Sequence, residues 1–572
     1  MNAISKATKH NWAKLNSDTE GKLTKRANKT RSTRHIVATS YLDYTPAHRL
    51  LDNIIRLNYD IEDVMYTLCI DYLRHVNILD KTHVKEFLST QPCHRIVNID
   101  IPTTTWDSGG DVLGFIYQSL ITEGERNLTG QYYTNRQVVE HMLGNKVLKD
   151  GETFLDPCCG SGAFLLAVNT DTPSCLYGLD INPIAVMIAG TNLLAKYANH
   201  HFTPHVYCLD FLQRHTDQDN LPATFDNIYT NPPWGTDKQN LYKNLYPEIK
   251  SKERSSMVIV EALKRLNNKG HLSLLLPTSL LKINSHTNIR KYILSHSTIQ
   301  AIDLFTHRFD GVFTDFFSIH LSGQTTDIQQ YTVATHKGTS YITLSSRDKS
   351  LGIIATRQLS DIDESIIHRM DSLQHDSLQH SLWALGIVTG HNKSKVKKEK
   401  QPGMEAIYTG RQVSPYTLEK ATHYTFYNPD TFQQCAKEEL YRADEKLIYR
   451  FIARYPIVAY DDRQSLCLNS ANILIPQLDG ISIKSTAALL NSTLYRYYYT
   501  TRFSDIKVLK SYLQQLPFPL LTPQQDTTLS NLVSDIQASQ YSEEHKQEID
   551  RIVYSLFGIT PSEQAHITAE MM

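Results

Sequence analysis

The chain has 572 residues, room for roughly three or four domains with well-buried cores, and 58 basic residues balance 59 acidic ones, so bulk charge gives no indication of a nucleic-acid partner. Eight cysteines without a C-x-x-C pair, and no secretory apolar stretch at the N-terminus, point to a reducing cytosol and a cytoplasmic protein. No apolar run approaches the roughly 20 residues that span a bilayer, which excludes a membrane partner, and the 24 histidines form no H-E-x-x-H or similar string, so no metal is expected.

Residues 1–34 carry nine Lys/Arg, from Lys6 to Arg34, against Asp18 and Glu20, and read as a solvated basic tail. Apolar residues recur at three- and four-residue spacings from Tyr41 to about Leu88, which predicts helices. These stretches make up a helical N-terminal region, 1–110. "LGFIYQSLI" near Leu113 predicts one amphipathic helix. From Glu152 to Leu321 short apolar strands ("TFLD", "CLYGLDI", "HVYCLDF", "FDNIYTN", "HLSLLLP", "IQAIDLF") alternate with helical stretches. Repeated βα units imply an α/β, doubly wound domain over 111–322, its mostly parallel sheet covered on both faces. After Gly323 the polar composition predicts a boundary. "DSLQHDSLQH" (Asp371–His380) doubles a pentapeptide too short for a repeat architecture and reads as surface. "KSKVKKEK" (Lys393–Lys400) is a second basic run. The part from about 380 to 520 is irregular and rich in Tyr, Arg and His, within a second, mixed α/β domain at 345–522. A helical tail, 523–572, closes the chain.

The chemistry gathers at strand ends. "FLDPCCGSGAFLLAV" reads as strand, glycine turn, helix: Gly160 and Gly162 let the backbone approach a ligand, and the helix start offers bare N–H groups. The third glycine of the dinucleotide fingerprint is missing, which disfavours NAD. Asp180, 24 positions beyond Asp156, ends the next strand and suits a bidentate grip on ribose hydroxyls. Asp210 ends a third strand beside Phe211; a carboxylate accepts from an exocyclic amine while a phenyl ring covers a purine. Each acid alone also fits a helix cap. Three in series, followed by "TNPPWG" (Thr230–Gly235), point to an adenosine-like ligand without a pyrophosphate. The two prolines end strand pairing, because they bring no N–H to the ladder. Asn231 and Trp234 are thus fixed on a stiff loop where open α/β sheets bind ligands.

From roughly Leu113 to Ile559 these residues resemble the gamma-type N6-adenine DNA methyltransferases of restriction–modification systems, which use S-adenosylmethionine. "TGQYYTNRQVVEHM" (Thr129–Met142) is similar to their N-terminal cofactor motif, which assigns Thr134 to the methionine end. "DPCCGSG" is similar to the glycine motif, with Cys158 where Ala is usual, and implies cofactor roles for Asp156, Gly160, Gly162, Asp180, Asp210 and Phe211. "NPPW" matches the catalytic motif, Asn231, Pro232, Pro233 and Trp234. "GVFTDFFSIHL" (Gly311–Leu321) sits where the family keeps a second base-stacking aromatic, with Phe316 and Phe317 as candidates. "LGIVTGHN", "YTGRQVSPY", "LLNSTLYRYYY" and "LPFP" resemble the target-recognition domain, and "EIDRIVYSLFGIT" the helical tail of the larger members. The fold implied is a Rossmann-like methyltransferase core, the cofactor S-adenosyl-L-methionine, and the partner double-stranded DNA, with room for a separate cognate restriction endonuclease.

In that reading the Asn231 side-chain oxygen and the Pro232 carbonyl accept from the target amine, freeing its delocalised lone pair by position and electrostatics. Trp234 stacks on the base, which must leave the duplex to expose its paired amine. "YRFIARY" (Tyr449–Tyr455) and "YRYYYTTRFSDIK" (Tyr495–Lys507) mix residue types that contact phosphates and base edges, and equally fit a core with exposed tips. N4-cytosine DNA methylation is the nearest rival, although Ser more often begins its motif. Glutamine methylation of release factors and N2-guanine methylation of ribosomal RNA belong to more compact enzymes. A fused restriction endonuclease–methyltransferase needs a metal-dependent nuclease site, for which "HVKEF" (His83–Phe87) is the nearest string, within a region patterned as helix. A non-catalytic DNA-binding subunit conflicts with the intact Asp156, Asp180, Asp210 and Asn231.

Overall fold

The structure, a computed structural model, describes residues 37–571 apart from 40, 58, 92–94, 123–133, 214–220, 238, 306–314, 337, 358, 504–506 and 540. The described residues fall into two compact units, one before and one after residue 358.

The first unit is built on β1 (Phe154–Asp156), β2 (Leu176–Asp180), β3 (His205–Cys208), β4 (Phe225–Thr230), β5 (Leu266–Pro277), β6 (Thr298–Leu304), β7 (Phe316–Ser322), β8 (Gln330–Thr335) and β9 (Gly338–Thr343). They form a single sheet in the order β3-β2-β1-β4-β5-β7-β6-β8-β9. β1 to β5 pair in parallel, whereas β7 runs antiparallel to both β5 and β6. Only residues 305–315 separate β6 from β7, fewer than the dozen or more that a parallel crossover needs. The strand order reverses between β1 and β4, so a crevice opens at their carboxyl ends.

Both faces of the sheet are covered, which is why the second half of β5, Leu272–Leu276, is nearly all leucine. Phe154, Leu275 and Phe316 pack on one face with the N-terminal helices and the helix Pro183–Lys196. Leu155, Leu274, Leu276 and Phe317 pack on the other with the helices Arg254–Lys264 and Thr287–His296. This packing moves the expected divisions. The helices Thr45–Leu57, Ile61–His75 and Thr82–Ser89 share a core with the sheet, so the N-terminal region packs directly on the core expected at 111–322; a Cβ on Gly190 would lie 2.4 Å from the Phe87 ring. Nor does the sheet end at 322, since β8 and β9 extend it to Thr343. The helix Val112–Leu120, expected to be amphipathic, is buried from Val112 through Ser119, because it lies between the N-terminal helices and Pro183–Lys196.

In the second unit, Leu382–Leu385, Ala471–Ile475, Lys446–Arg450 and Val458–Asp461 form an antiparallel sheet in that order. The expected irregular stretch is therefore partly regular. One core cluster of this unit runs from Ile366 to Ile567, so the helices Pro523–Ala538, Glu543–Leu556 and Pro561–Met571 pack into the body of the unit. The doubled pentapeptide is mostly exposed, but Leu378 is fully buried and His375–Asp376 pairs with Phe518–Pro519.

Candidate active site

A cleft opens at the carboxyl ends of β1 to β4, and Thr134, Asp156, Gly160, Asp180, Asp210, Phe211, Asn231 and Pro233 all line it. Asp156 and Asp180 are the last residues of β1 and β2; Asp210 lies just beyond β3 and Asn231 directly follows β4. Thr134 stands before the helix Arg136–Leu143, whose start Asn135 caps by accepting from the Gln137 N–H at 2.8 Å.

The glycine turn is held by the acid of the neighbouring strand. Gly160 N–H donates to Asp180 Oδ2 at 3.0 Å, and Asp180 Oδ1 accepts from Asn182 N–H at 2.9 Å. Gly162 N–H donates to the Cys159 carbonyl at 2.8 Å, and the helix that follows, Ala163–Ala167, is one short turn. The N–H groups of the two glycines are thus engaged within the turn itself. Gly160 and Gly162 take φ of +52° and +95°, conformations that require glycine in so tight a turn. Gly162 stands behind the cleft, where a Cβ would sit 3.4 Å from Ala189. Burial pushes the Asp156 carboxyl up to about 7, against the pull of the Cys158 N–H that donates to its Oδ1 at 3.1 Å. Burial also raises Asp180 and lifts the Cys158 thiol well above its usual range, and the Asp156 carboxylate raises Cys158 further.

Residues that sequence reasoning missed come from the segment after the prolines, which folds back over the cleft. Thr236 bridges Glu253, Asp237 N–H donates to the Lys252 carbonyl at 2.8 Å, and Arg254 N–H to the Gly235 carbonyl at 2.9 Å. This return brings Tyr242 and Arg254 into the cleft wall. Tyr242 Oη donates to Asp210 Oδ2 at 2.8 Å while Asp210 Oδ1 accepts from Leu212 N–H at 3.0 Å. Burial, then Asp210, raises the Tyr242 hydroxyl, so it remains a donor. "LYKNLYPEIK" has no periodicity that would single out Tyr242. Ile181 also lines the cleft and is 61% exposed, an apolar surface beside Asp180 open to a ligand.

Pro232 is buried and Trp234 half-buried, its indole N–H donating to the Leu275 carbonyl at 3.3 Å. The Trp234 and Phe316 rings lie 6.2 Å apart, and Phe316 lies 5.3 Å from Phe305. The two stacking candidates separate here. Phe316 shares the face of Trp234, whereas Phe317 is fully buried on the opposite face, because successive strand residues point to opposite sides. Gly311–Thr314 and Thr129–Tyr133, quoted in the motifs above, fall outside the described residues, as does the basic tail of residues 1–34.

The tyrosine-rich strings divide as well. Tyr495, Tyr497, Tyr498 and Tyr499 are all core residues of the helix Thr493–Arg502. Their hydroxyls donate to the Pro517 carbonyl, Asp363, Asp371 and the Lys507 carbonyl respectively. They are therefore not available to bases. In "YRFIARY" Tyr449 is buried, whereas Ile452 and Arg454 are exposed at the turn between two strands. No helix among the described residues is long and apolar enough to cross a membrane.

The reversed parallel sheet, the glycine turn after β1, the acids after β2 and β3 and the N-P-P-aromatic loop after β4 define a Rossmann-like methyltransferase core. The family model for N-6 DNA methylases matches residues 108–314, and that for the TaqI-like C-terminal specificity domain matches 405–518. The chain is 31% identical over 315 residues to the type II methyltransferase M.VspI of Vibrio sp. (strain 343), covering 53% of this chain and 75% of that one. It is 26% identical over 214 residues to the methylase subunit of the type I restriction enzyme EcoEI of Escherichia coli, covering 34% of this chain and 41% of that one. Among solved structures, the type IIL restriction–modification enzyme MmeI in complex with DNA matches with a TM-score of 0.63 at 11% identity, over 94% of this chain and 98% of that one. The chain belongs to the N-6 DNA methylase family. It is a site-specific, adenine-specific DNA methyltransferase of the restriction–modification kind, and its family implies S-adenosylmethionine as the methyl donor.

Proposed function

We propose that the cleft holds S-adenosylmethionine between Thr134, Asp156, Asp180, Asp210 and Phe211, and that Asn231, Pro232 and Trp234 act on the N6 amine of an adenine turned out of the duplex. One observation carries this reading: the ends of β1, β2, β3 and β4 deliver Asp156, Asp180, Asp210 and Asn231 to a single cleft. The residues present fit the cofactor. Each Asp180 oxygen accepts one backbone N–H and retains a lone pair for a ribose hydroxyl. Ile181 and Phe211 offer the apolar faces that a purine needs. When bound, the cofactor supplies an activated methyl group on a sulfonium.

The chain's own part is to position the amine. The Asn231 side-chain oxygen and the Pro232 carbonyl accept its two N–H bonds, which favours a tetrahedral nitrogen with its lone pair free. Such preorganised acceptors act without reorganisation in the transition state. Trp234, fixed through its N–H to Leu275 and flanked by Phe316, covers one face of the base. Phe316 is 1% exposed, so it acts as the backing of Trp234 rather than as a second stacking surface. Double-stranded DNA is the substrate, held by the second unit. The reading leaves room for a separate cognate restriction endonuclease; the nuclease-like string "HVKEF" lies on the helix Thr82–Ser89 rather than on a strand.

Isothermal titration of S-adenosylmethionine tests the cofactor site. Asp180→Ala is expected to weaken binding by roughly 1.5–3 kcal/mol, the worth of lost charge-assisted hydrogen bonds. Unchanged affinity in a folded variant removes Asp180 from the site. Mass spectrometry of the digested DNA product is expected to show N6-methyl-2′-deoxyadenosine and no N4-methyl-2′-deoxycytidine.

A further inference from the structure

Outside the cleft, a buried polar network lies directly beneath the glycine turn. Asp111 caps the helix Val112–Leu120 by accepting from Gly114 N–H at 2.8 Å. The same carboxylate accepts from Tyr41 Oη at 2.6 Å and from Asn192 Nδ2 at 2.8 Å. Both donors also reach Ser161, between the two glycines of the turn: Tyr41 Oη lies 3.1 Å from its Oγ, and Asn192 Nδ2 donates to its carbonyl at 3.1 Å. Six residues further along the helix, Tyr117 Oη accepts from Asn182 Nδ2 at 2.7 Å. Asn182 is the residue whose N–H holds Asp180 and whose side chain caps the helix Pro183–Lys196. One helix thus grips the turns after both β1 and β2. Its approach is too close for any side chain at Gly114, where a Cβ would lie 2.5 Å from Ser161 Oγ.

We infer that the helix Val112–Leu120, with Tyr41, is a brace that sets the shape of the cofactor site, and that Asp111 and Tyr117 are positioning residues for S-adenosylmethionine binding. This rests on the reading of the cleft as the cofactor site. The physical reason is that Gly160 and Ser161 follow a strand end and precede a single helical turn, so local structure alone leaves their conformation weakly determined. A half-buried carboxylate with three donors, two of them also on Ser161, fixes it. Preorganisation of this kind appears as ligand affinity, because binding no longer has to order the turn. The segment from Tyr41 to Leu120, ahead of the first strand, is then part of the site.

The test compares Asp111→Ala, Asp111→Asn, Tyr41→Phe and Tyr117→Phe in the full chain, by calorimetric titration with S-adenosylmethionine and by steady-state kinetics in cofactor and DNA. Loss of charged-group hydrogen bonds predicts an affinity loss of about tenfold or more for Asp111→Ala. Asp111→Asn should restore affinity to within about threefold, because its amide accepts from Gly114 and Asn192 while the Tyr41 hydroxyl turns to accept from it. KM for the cofactor should rise while kcat and KM for DNA stay within about twofold. The two Tyr→Phe variants, which remove one oxygen each and are expected to fold, should show the same pattern in smaller degree. Unchanged cofactor affinity in Asp111→Ala and both Tyr→Phe variants overturns the brace. So does a parallel loss of DNA affinity and thermal stability that matches the cofactor loss, the mark of general loosening. If the unmodified protein fails to bind S-adenosylmethionine, the reading of the cleft itself has failed.

Discussion

The loop Asn231–Trp234 and the helix Thr493–Arg502 both drew notice as concentrations of aromatic and hydrogen-bonding side chains, and they ended in opposite environments. In the loop, two prolines stop the ladder, so the chain leaves the sheet and Asn231 reaches a cleft with Trp234 half-buried beside it. In the helix, Leu494, Tyr495, Tyr497, Tyr498 and Tyr499 are buried all round, packed among Ile483–Asn491, Glu543–Leu556 and Pro561–Met571. Every one of the four hydroxyls has an internal acceptor. A run of tyrosines with such partners is a core that contains polar groups, not a surface for DNA. What separates the two regions is backbone geometry rather than composition.

The sharpest way to break that contrast is kinetic. Asn231→Ala should lower single-turnover methyl transfer on the order of 100- to 1,000-fold, as for removal of one preorganised electrostatic partner, and leave cofactor affinity largely intact. A rate within a few-fold of the unmodified enzyme contradicts the proposed role of the loop.

A second effect comes from the buried carboxyl behind the same loop. Asp156 titrates at about 7 in the fold against 3.8 in a model peptide. Between roughly pH 4 and 7 the folded chain keeps a proton that the unfolded chain has released. Its contribution to stability is therefore complete at low pH and disappears as the pH rises through about 7. Denaturant unfolding of the cofactor-free protein should show a loss of roughly 2–3 kcal/mol from pH 5 to pH 8 that Asp156→Asn lacks. Identical pH slopes in the two proteins would place an ionised Asp156 in the fold.

The smallest effect belongs to the helix. Tyr499→Phe removes a 3.2 Å bond to the Lys507 carbonyl and should cost about 0.5–1.5 kcal/mol of stability, with DNA affinity unchanged. A tenfold loss of DNA affinity without loss of stability would return this tyrosine to the recognition surface.

Most of the proposed site was legible in the sequence because each of its residues is tied to a strand end, and strand ends are marked locally. Asp156 precedes a glycine turn, Asp180 an Asn–Pro helix start, and Asn231 a pair of prolines. Tyr242 and Arg254 were not legible, since they reach the cleft only through the return of the chain at Thr236–Glu253. Asp111 and Tyr117 lay at the start of, and within, a helix whose pattern reads as amphipathic, with nothing to mark them as partners of the glycine turn. The second stacking position illustrates the same limit at one-residue resolution, for Phe316 and Phe317 differ only in which face of β7 they occupy.

The doubled pentapeptide gives the cleanest measure of what sequence alone can decide. Leu373 and Leu378 occupy the same place in two copies of D-S-L-Q-H, yet Leu373 is 37% exposed and Leu378 is fully buried. The first copy ends the helix Asp361–Ser372, and the junction of the two, His375–Asp376, pairs with Phe518–Pro519 across more than a hundred residues. Alternating βα patterns, turn glycines and the proline stop are local, and through them the sequence by itself determined the parallel core, the strand-end acids and the Asn231–Trp234 turn after β4. Which helices share a core with the sheet, where the compact units divide and which tyrosines are buried depend on contacts between distant segments. Those contacts are chosen by the burial of whole faces against one another, and only the tertiary structure decided them.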